Sequence, residues 1–211
     1  MILVGGHSSR FGANKALHVW RGRALVDHII AAVRVALDPP DIWINVRRVG
    51  QDPRLLEHLQ RHEGLTFLED DPALSGPAAG LSAGFSWAAR RQIPWVLALS
   101  CDLPAVRIQL LARMAELALD PAHAHDALVP VTRDEFGQPR FEALHALFRP
   151  EPALDALERA TADGRMSLQR VIGALASPML LGPAELEALD PAWRRSLTNV
   201  NTVDDLDLIE E

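Results

Sequence analysis

Cys101 is the only cysteine in the chain, which excludes an internal disulfide and any zinc site built on several thiolates. No apolar run approaches the roughly 20 residues of a membrane-spanning helix. Gly5-Gly6 follows Met1 too closely for a signal peptide, so a cytoplasmic location is expected. Repeats, low-complexity tracts and dividing linkers are also missing, and a single domain over residues 1–211 is the expectation. A domain of that size buries roughly 70–75% of its unfolded surface and needs no covalent or metal staple. Basic surface is scarce: a net charge of −7 argues against a general nucleic-acid binder. Lysine is almost absent. Against 20 arginines stands one lysine, Lys15, within a glycine-rich stretch. Asparagine occurs only at Asn14, Asn45, Asn199 and Asn201. Carboxylates are missing from the first 26 residues, where Arg10, Lys15, Arg21 and Arg23 make a cationic segment that is either suited to phosphate or a chance cluster.

The remainder is ordinary for a globular protein, 48% hydrophobic and 23% charged. Ile2-Leu3-Val4 reads as a short buried strand ended by Gly5-Gly6. Val26, Ile29, Ile30, Val33 and Leu37 recur at helical spacing, and Pro39-Pro40 stops that helix. A second strand opens at Ile42-Trp43-Ile44. Asp52-Pro53 has the form of an N-cap with proline at N1, opening a helix to about Gln60. Residues 65–68 form a third strand, residues 75–90 a helix of small residues, and residues 95–99 the clearest buried strand, with a helix after Asp102-Leu103-Pro104. Further on, residues 127–131 and 143–147 read as strands, and residues 151–162 and 166–174 as helices. Alternation of strand and helix predicts a parallel sheet covered on both faces, with ligands at the carboxyl ends of its strands.

The glycine-rich loop, Asn45, Asp70 and Asp102 all fall just past strand ends. In Gly5-Gly6-His7-Ser8-Ser9-Arg10-Phe11-Gly12-Ala13-Asn14-Lys15, three glycines let backbone N–H groups approach an anion. Ser8 and Ser9 add hydroxyl donors, and Arg10 and Lys15 add charge for a polyphosphate. The segment matches neither the P-loop nor G-x-G-x-x-G, and a plain β-to-α turn with surface charges is the alternative. Asp102, past the most buried strand, can hold Mg²⁺ or can open a helix ahead of Pro104. Glu69-Asp70-Asp71 has the same ambiguity, metal ligand or solvated turn. Gly76-Pro77-Ala78-Ala79-Gly80 lets a flat ring lie against backbone, or serves tight helix packing. Asn199-Val200-Asn201-Thr202 places two carboxamides on one side of an extended stretch, with Thr202 as cap of a last helix and Asp205 at N3. His58 and His62 share a helix face at i,i+4 without an H-E-x-x-H glutamate, which predicts a solvated face. His123 and His125 sit in a loop with only Asp126 nearby, and no metal is expected there.

Together these segments resemble the molybdenum cofactor guanylyltransferases, which join GMP from GTP to molybdopterin. The resemblance lies in Leu3-Val4-Gly5-Gly6 with Ser9-Arg10-Phe11-Gly12 and Lys15, in Gly76-Pro77-Ala78-Ala79-Gly80, in Cys101-Asp102-Leu103-Pro104 and in Asn199-Val200-Asn201-Thr202. It implies an α/β, Rossmann-like three-layer nucleotidyltransferase fold with a mostly parallel central sheet. It implies GTP contacts from Leu3, Val4, Gly5, Lys15, Asn45 and Asp70, and Mg²⁺ on Asp102. Arg10, Asn199 and Asn201 resemble the family's residues near the transferred phosphates and the pterin. GTP and molybdopterin are the implied substrates, and molybdoenzymes or their chaperones the implied partners. Val4 stands where alanine is usual, and Val203 where proline commonly follows the asparagine motif. A relative using CTP or another acceptor, or a non-catalytic cofactor-binding protein, is the alternative.

Overall fold

Alternating side chains sort the strands' apolar residues into two layers. Ile2, Ile42, Ile44, Leu97, Leu99, Leu128 and Leu147 belong to one buried cluster. Their neighbours Leu3, Trp43, Val96, Ala98, Ala127, Val129, Ala146 and Phe148 belong to another. That period of two, buried on both faces, is what a covered parallel sheet requires. The computed structural model describes residues 1–4, 14–37, 41–47, 50–122, 124–134, 136–161 and 166–209.

The sheet is built from β1 (Ile2–Leu3), β4 (Ile42–Val46), β5 (Leu65–Glu69), β6 (Val96–Ser100), β7 (Ala127–Arg133), β8 (Pro139–Phe141), β9 (His145–Phe148) and β10 (Pro178–Leu181). β2 (Val19–Trp20) and β3 (Arg23–Ala24) form a separate small hairpin. The order across the main sheet is β10-β7-β9-β6-β1-β4-β5, with β8 on β7. Pairings from β6 through β1 and β4 to β5 are parallel, as is β10 with β7; β9 runs antiparallel to both β6 and β7. The expected three-layer α/β architecture with a mostly parallel sheet is what the chain forms.

One face is covered by α1 (Leu25–Ala36), α2 (Pro53–Leu59), α4 (Ile108–Leu119), α7 (Pro183–Leu189) and α8 (Trp193–Ser196). The other is covered by α3 (Pro77–Arg90), α5 (Pro150–Thr161) and α6 (Leu168–Ala174). Local chemistry explains several boundaries. Asp52 Oδ1 accepts from the Arg54 N–H at 2.9 Å, with Pro53 at N1, as the sequence predicts. Ser167 caps α6 by accepting from Arg170 N–H at 3.2 Å. Gly76 opens α3 at φ +62° and ψ −154°, a region that only glycine occupies readily.

Some expectations are corrected. The helix after Asp102 begins only at Ile108, so Asp102 is not its cap. The last helix is a 3-10 segment, Asp204–Ile209, and its organising contact comes from Asp205, whose Oδ2 accepts from the N–H groups of Asn201 and Thr202. His58 and His62 do not lie on a solvated face: both are half-buried, and both hydrogen-bond Asp27 of α1. β2, β3, β8, β10, α7 and α8 have no counterpart in the sequence reading. The β2–β3 turn carries Arg21 and Gly22 at φ 48° and 78°, the signature of a two-residue hairpin turn with both central residues left-handed. The proline pair at Pro39-Pro40 and residue His123 lie outside the described residues.

Candidate active site

Parallel register brings one row of side chains to the carboxyl edge of the sheet. Leu3 of β1 pairs with Asn45 of β4 on one side and with Ser100 of β6 on the other. The amide of Asp70, just past β5, donates to Val46 O at 3.0 Å and so holds its carboxylate beside that row. α3 closes the arrangement from the second layer. A cleft of about 200 Å³ results, lined by Leu3, Asn45, Arg47, Asp70, Gly76, Pro77, Gly80, Ser100 and Leu144. Six of those residues, Leu3, Asn45, Asp70, Gly76, Pro77 and Gly80, are expected ligand contacts from sequence.

Asn45 decides the chemistry of this cleft. Its side chain is 2% exposed, and its Nδ2 donates to the Gly80 carbonyl at 3.0 Å. That bond fixes the amide orientation and leaves Oδ1 buried with no hydrogen-bond partner. An unsatisfied buried acceptor costs about 1–3 kcal/mol, a cost that a donor-bearing ligand would offset. Asp70 adds a second acceptor. Burial pushes its carboxyl up from the ordinary value, and the Arg47 charge opposes that shift. Its neighbour Asp71 is consumed by structure, accepting from Ala73 N–H and from the Ser82 hydroxyl, so the acidic triplet divides into one residue for the cleft and one for the turn. Gly80 is small for a reason: a Cβ there would lie 3.1 Å from Leu3 Cδ2 and 3.2 Å from Asp70 Oδ1.

A second group assembles around the turn after β6. The Val200 N–H donates to the Asp102 carbonyl at 2.8 Å, which pins the Asn199-Val200-Asn201 segment against that turn. Val200 is fully buried with Trp20, Leu25, Leu206 and Ile209, while Asn199 is half-buried and Asn201 exposed on either side of it. Lys15 opens the 3-10 segment Lys15–Leu17, which Asn14 caps by accepting from Ala16 N–H at 3.1 Å. Burial lowers the Lys15 ammonium from its ordinary value, while the nearby charges of Asp102, Cys101 and Asp205 hold it up. The Cys101 thiol is pushed up to about 12 by burial, with Asp102 adding to the rise and Lys15 opposing it, which leaves it a poor nucleophile. The backbone N–H bonds from Asn201 and Thr202 hold the Asp205 carboxyl below its usual range. Asp102 is half-buried, and its carboxylate is a hard oxygen donor of the kind that suits a hard divalent cation.

Val4 does not line the cleft; its side chain packs in the α1 and α4 layer. Gly5, Gly6, Ser8, Ser9 and Arg10 lie outside the described residues. Sequence reasoning missed Arg47, Ser100 and Leu144. Arg47 and Ser100 follow Asn45 and precede Asp102 by two residues each, a spacing that marks the same strand ends, whereas Leu144 comes from the antiparallel return and carries no local signal. It also missed His145, fully buried on β9, whose Nε2 lies 3.3 Å from the Ser196 hydroxyl and whose titration burial lowers to about 3. That histidine is neutral at physiological pH.

The family model of the MobA-like NTP transferase domain matches residues 1–178. A molybdenum cofactor guanylyltransferase from Pseudomonas putida (strain F1) is 34% identical, covering 82% of this chain and 80% of the relative. A probable molybdenum cofactor guanylyltransferase from Chloroflexus aggregans is 32% identical over 100% of this chain and 92% of its own length. Among solved structures, molybdopterin-guanine dinucleotide biosynthesis protein A from Archaeoglobus fulgidus superposes with a TM-score of 0.70 at 26% identity, covering 99% of this chain and 95% of that one. A 2-C-methyl-D-erythritol 4-phosphate cytidylyltransferase from Thermus thermophilus shares the fold at 20% identity and a TM-score of 0.65, covering 99% of this chain and 95% of that one.

Proposed function

The chain belongs to the MobA-like NTP transferase family, and from that premise we propose that it transfers GMP from GTP to molybdopterin and releases pyrophosphate. The observation that carries the guanine assignment is the buried, unpartnered Oδ1 of Asn45 beside the Asp70 carboxylate. Guanine offers two adjacent donors, N1–H and the N2 amino group, to such a pair of acceptors. Cytosine offers a single donor, its N4 amino group, beside acceptors at N3 and O2, and so can meet only one of the two protein acceptors, which makes a CTP-using enzyme the weaker reading. Leu3 and Pro77 supply the apolar walls for the ring, and the absence of a side chain at Gly80 leaves room for it.

The chemistry is an in-line displacement at the α-phosphorus of GTP. A terminal phosphate oxygen of molybdopterin forms the new P–O bond, the bond to the bridging α–β oxygen breaks, and pyrophosphate carries away the charge. The nucleophile is already anionic, so no general base is needed. Positioning and charge neutralisation supply the rate. Lys15 places a cation beside the Asp102 turn, and Asn199 and Asn201 orient phosphate or pterin groups by donating and accepting. By resemblance, Gly5 contacts GTP and Arg10 lies near the transferred phosphates; the glycine-rich sequence around them adds backbone N–H donors, Gly6 among them, and the hydroxyls of Ser8 and Ser9 for the triphosphate. Asp102 would hold Mg²⁺, which when bound neutralises charge on the phosphate oxygens. The reading extends to one domain spanning residues 1–211 that works in the cytoplasm, where GTP is at hand, and passes its product to molybdoenzymes or their chaperones. Among the described residues no helix is long and apolar enough to cross a membrane.

Equilibrium binding of GTP, CTP, ATP and UTP with Mg²⁺ tests the reading. GTP preference that weakens in Asp102→Ala is expected. CTP preference would move the protein to a cytidylyl-transferring role.

A further inference from the structure

Three side chains meet on the α1 and α2 layer, and none of them lines the nucleotide cleft. Asp27 stands in the first turn of α1, His58 near the end of α2, and His62 in the turn that follows. The Nε2 atoms of His58 and His62 lie 2.8 and 2.9 Å from the same oxygen, Asp27 Oδ1, and all three ligand atoms fall within 4.8 Å of one another. The two imidazoles are edge-to-face, 5.7 Å between centroids, so their rings splay while their Nε2 atoms converge. Their side chains are 27% and 22% exposed and that of Asp27 is 18% exposed, open enough for an ion and one water to enter. The scaffold behind them is firm: Leu55 and Leu59 are fully buried, and Arg34 of α1 donates to the Glu63 carbonyl next to His62 at 2.5 Å.

We propose that Asp27, His58 and His62 form a binding site for a zinc-class divalent cation that ties α1 to α2. Two imidazoles and one carboxylate are a borderline donor set, suited to Zn²⁺ or Co²⁺ rather than Mg²⁺. Bonds of about 2.0–2.1 Å in a tetrahedral site require ligand atoms about 3.3 Å apart, so the two imidazole–Asp27 separations of 2.8 and 2.9 Å widen by roughly half an ångström to admit the ion. Both imidazoles then give up the Nε2 proton, shift to the Nδ1–H tautomer and turn their Nε2 lone pairs to the metal, with water as the fourth ligand. The metal-free state keeps the trio assembled through the two hydrogen bonds to Asp27. α1 follows the segment bearing Lys15 and α2 follows the one bearing Arg47, so the ion clamps together two elements that leave the cleft.

The test uses the full chain, stripped with a chelator and titrated with Zn²⁺ alone by calorimetry, with Co²⁺ absorption as a second readout. One zinc per chain is expected, with intense tetrahedral Co²⁺ bands, and a melting temperature raised by about 5–10 °C at a hundredfold excess of free zinc over Kd. His62→Gln and Asp27→Ala should each weaken zinc binding at least about tenfold with circular dichroism unchanged. His58→Gln serves as the second ligand variant should one of these fail to fold. Asp102→Ala should bind zinc as the parent does, which separates this site from the nucleotide reading. No saturable binding, or binding equal in the parent and in the folded ligand variants, would overturn the proposal.

Discussion

Replacing Asn45 with leucine separates a residue kept for the fold from one kept for a ligand. The side chain is 2% exposed, donates one hydrogen bond of 3.0 Å to Gly80 O, and leaves Oδ1 without a partner. Asn45→Leu loses that hydrogen bond, about 1 kcal/mol. It also removes a buried unsatisfied acceptor whose desolvation costs about 1–3 kcal/mol, and adds apolar contact in a sheet position flanked by Leu3 and Leu68. The net effect on unfolding free energy is therefore within about 1 kcal/mol of zero, leaning towards stabilisation. Nucleotide binding should move the other way. A guanine donor left facing a methyl group forfeits about 1.5–3 kcal/mol, roughly 10- to 150-fold in Kd. Urea unfolding of the ligand-free protein and calorimetric titration with GTP, run on the same preparations, read both quantities. A variant destabilised by more than 2 kcal/mol with GTP affinity unchanged would refute the reasoning and make Asn45 a device of the core.

Three further outcomes follow from the same geometry. Gly80→Ala gains about 1 kcal/mol of helix propensity while placing a methyl group 3.1 Å from Leu3 and 3.2 Å from Asp70; thermal stability should stay near the parent's while GTP affinity falls about tenfold or more, and unchanged affinity would remove the cleft from the nucleotide path. Lys15→Ala should lower the turnover rate by about 10²-fold or more with the circular dichroism spectrum unchanged, and a normal rate would reduce Lys15 to a structural role. His145 titrates at about 3 in the fold against 6.5 in the unfolded chain because burial disfavours its charge, so below 6.5 the unfolded state binds the extra proton. Stability should then fall as pH drops from 6.5 towards 3, by about 1.4 kcal/mol per pH unit from this group; His145→Gln should flatten that slope in urea titrations between pH 6.5 and 4.5, and parallel profiles would count against the assignment.

What could be read from the sequence was what local chemistry encodes. The short, continuous apolar runs of β4 and β6, the Asp52-Pro53 start of α2 and the glycine-proline opening of α3 all carry their signals within a few residues. The cleft was legible for a related reason: Leu3, Asn45, Asp70 and the residues around Gly76 lie at strand ends or a helix start, and parallel topology sends every such end to one edge. Features that depend on distant partners were not legible. β9 runs antiparallel because it sits between β6 and β7, and nothing within His145–Phe148 states that direction. β2 and β3 are two residues each, shorter than any periodicity can register. The spacing of His58 and His62 pointed to a shared face, yet Asp27 lies 31 and 35 residues away in the chain, so what that face meets could not be read. For Asp102 the sequence left metal ligand and helix start open, and only the start of α4 at Ile108 removes the second.

Transfer of label from GTP radiolabelled at the α-phosphorus to molybdopterin tests the central claim most directly, with CTP labelled in the same way as the competitor. The account predicts a labelled guanine dinucleotide product, one pyrophosphate released for each transfer, and loss of both in Asp102→Ala. Labelled product from CTP in preference to GTP, or GTP bound with no transfer to the pterin, would contradict it.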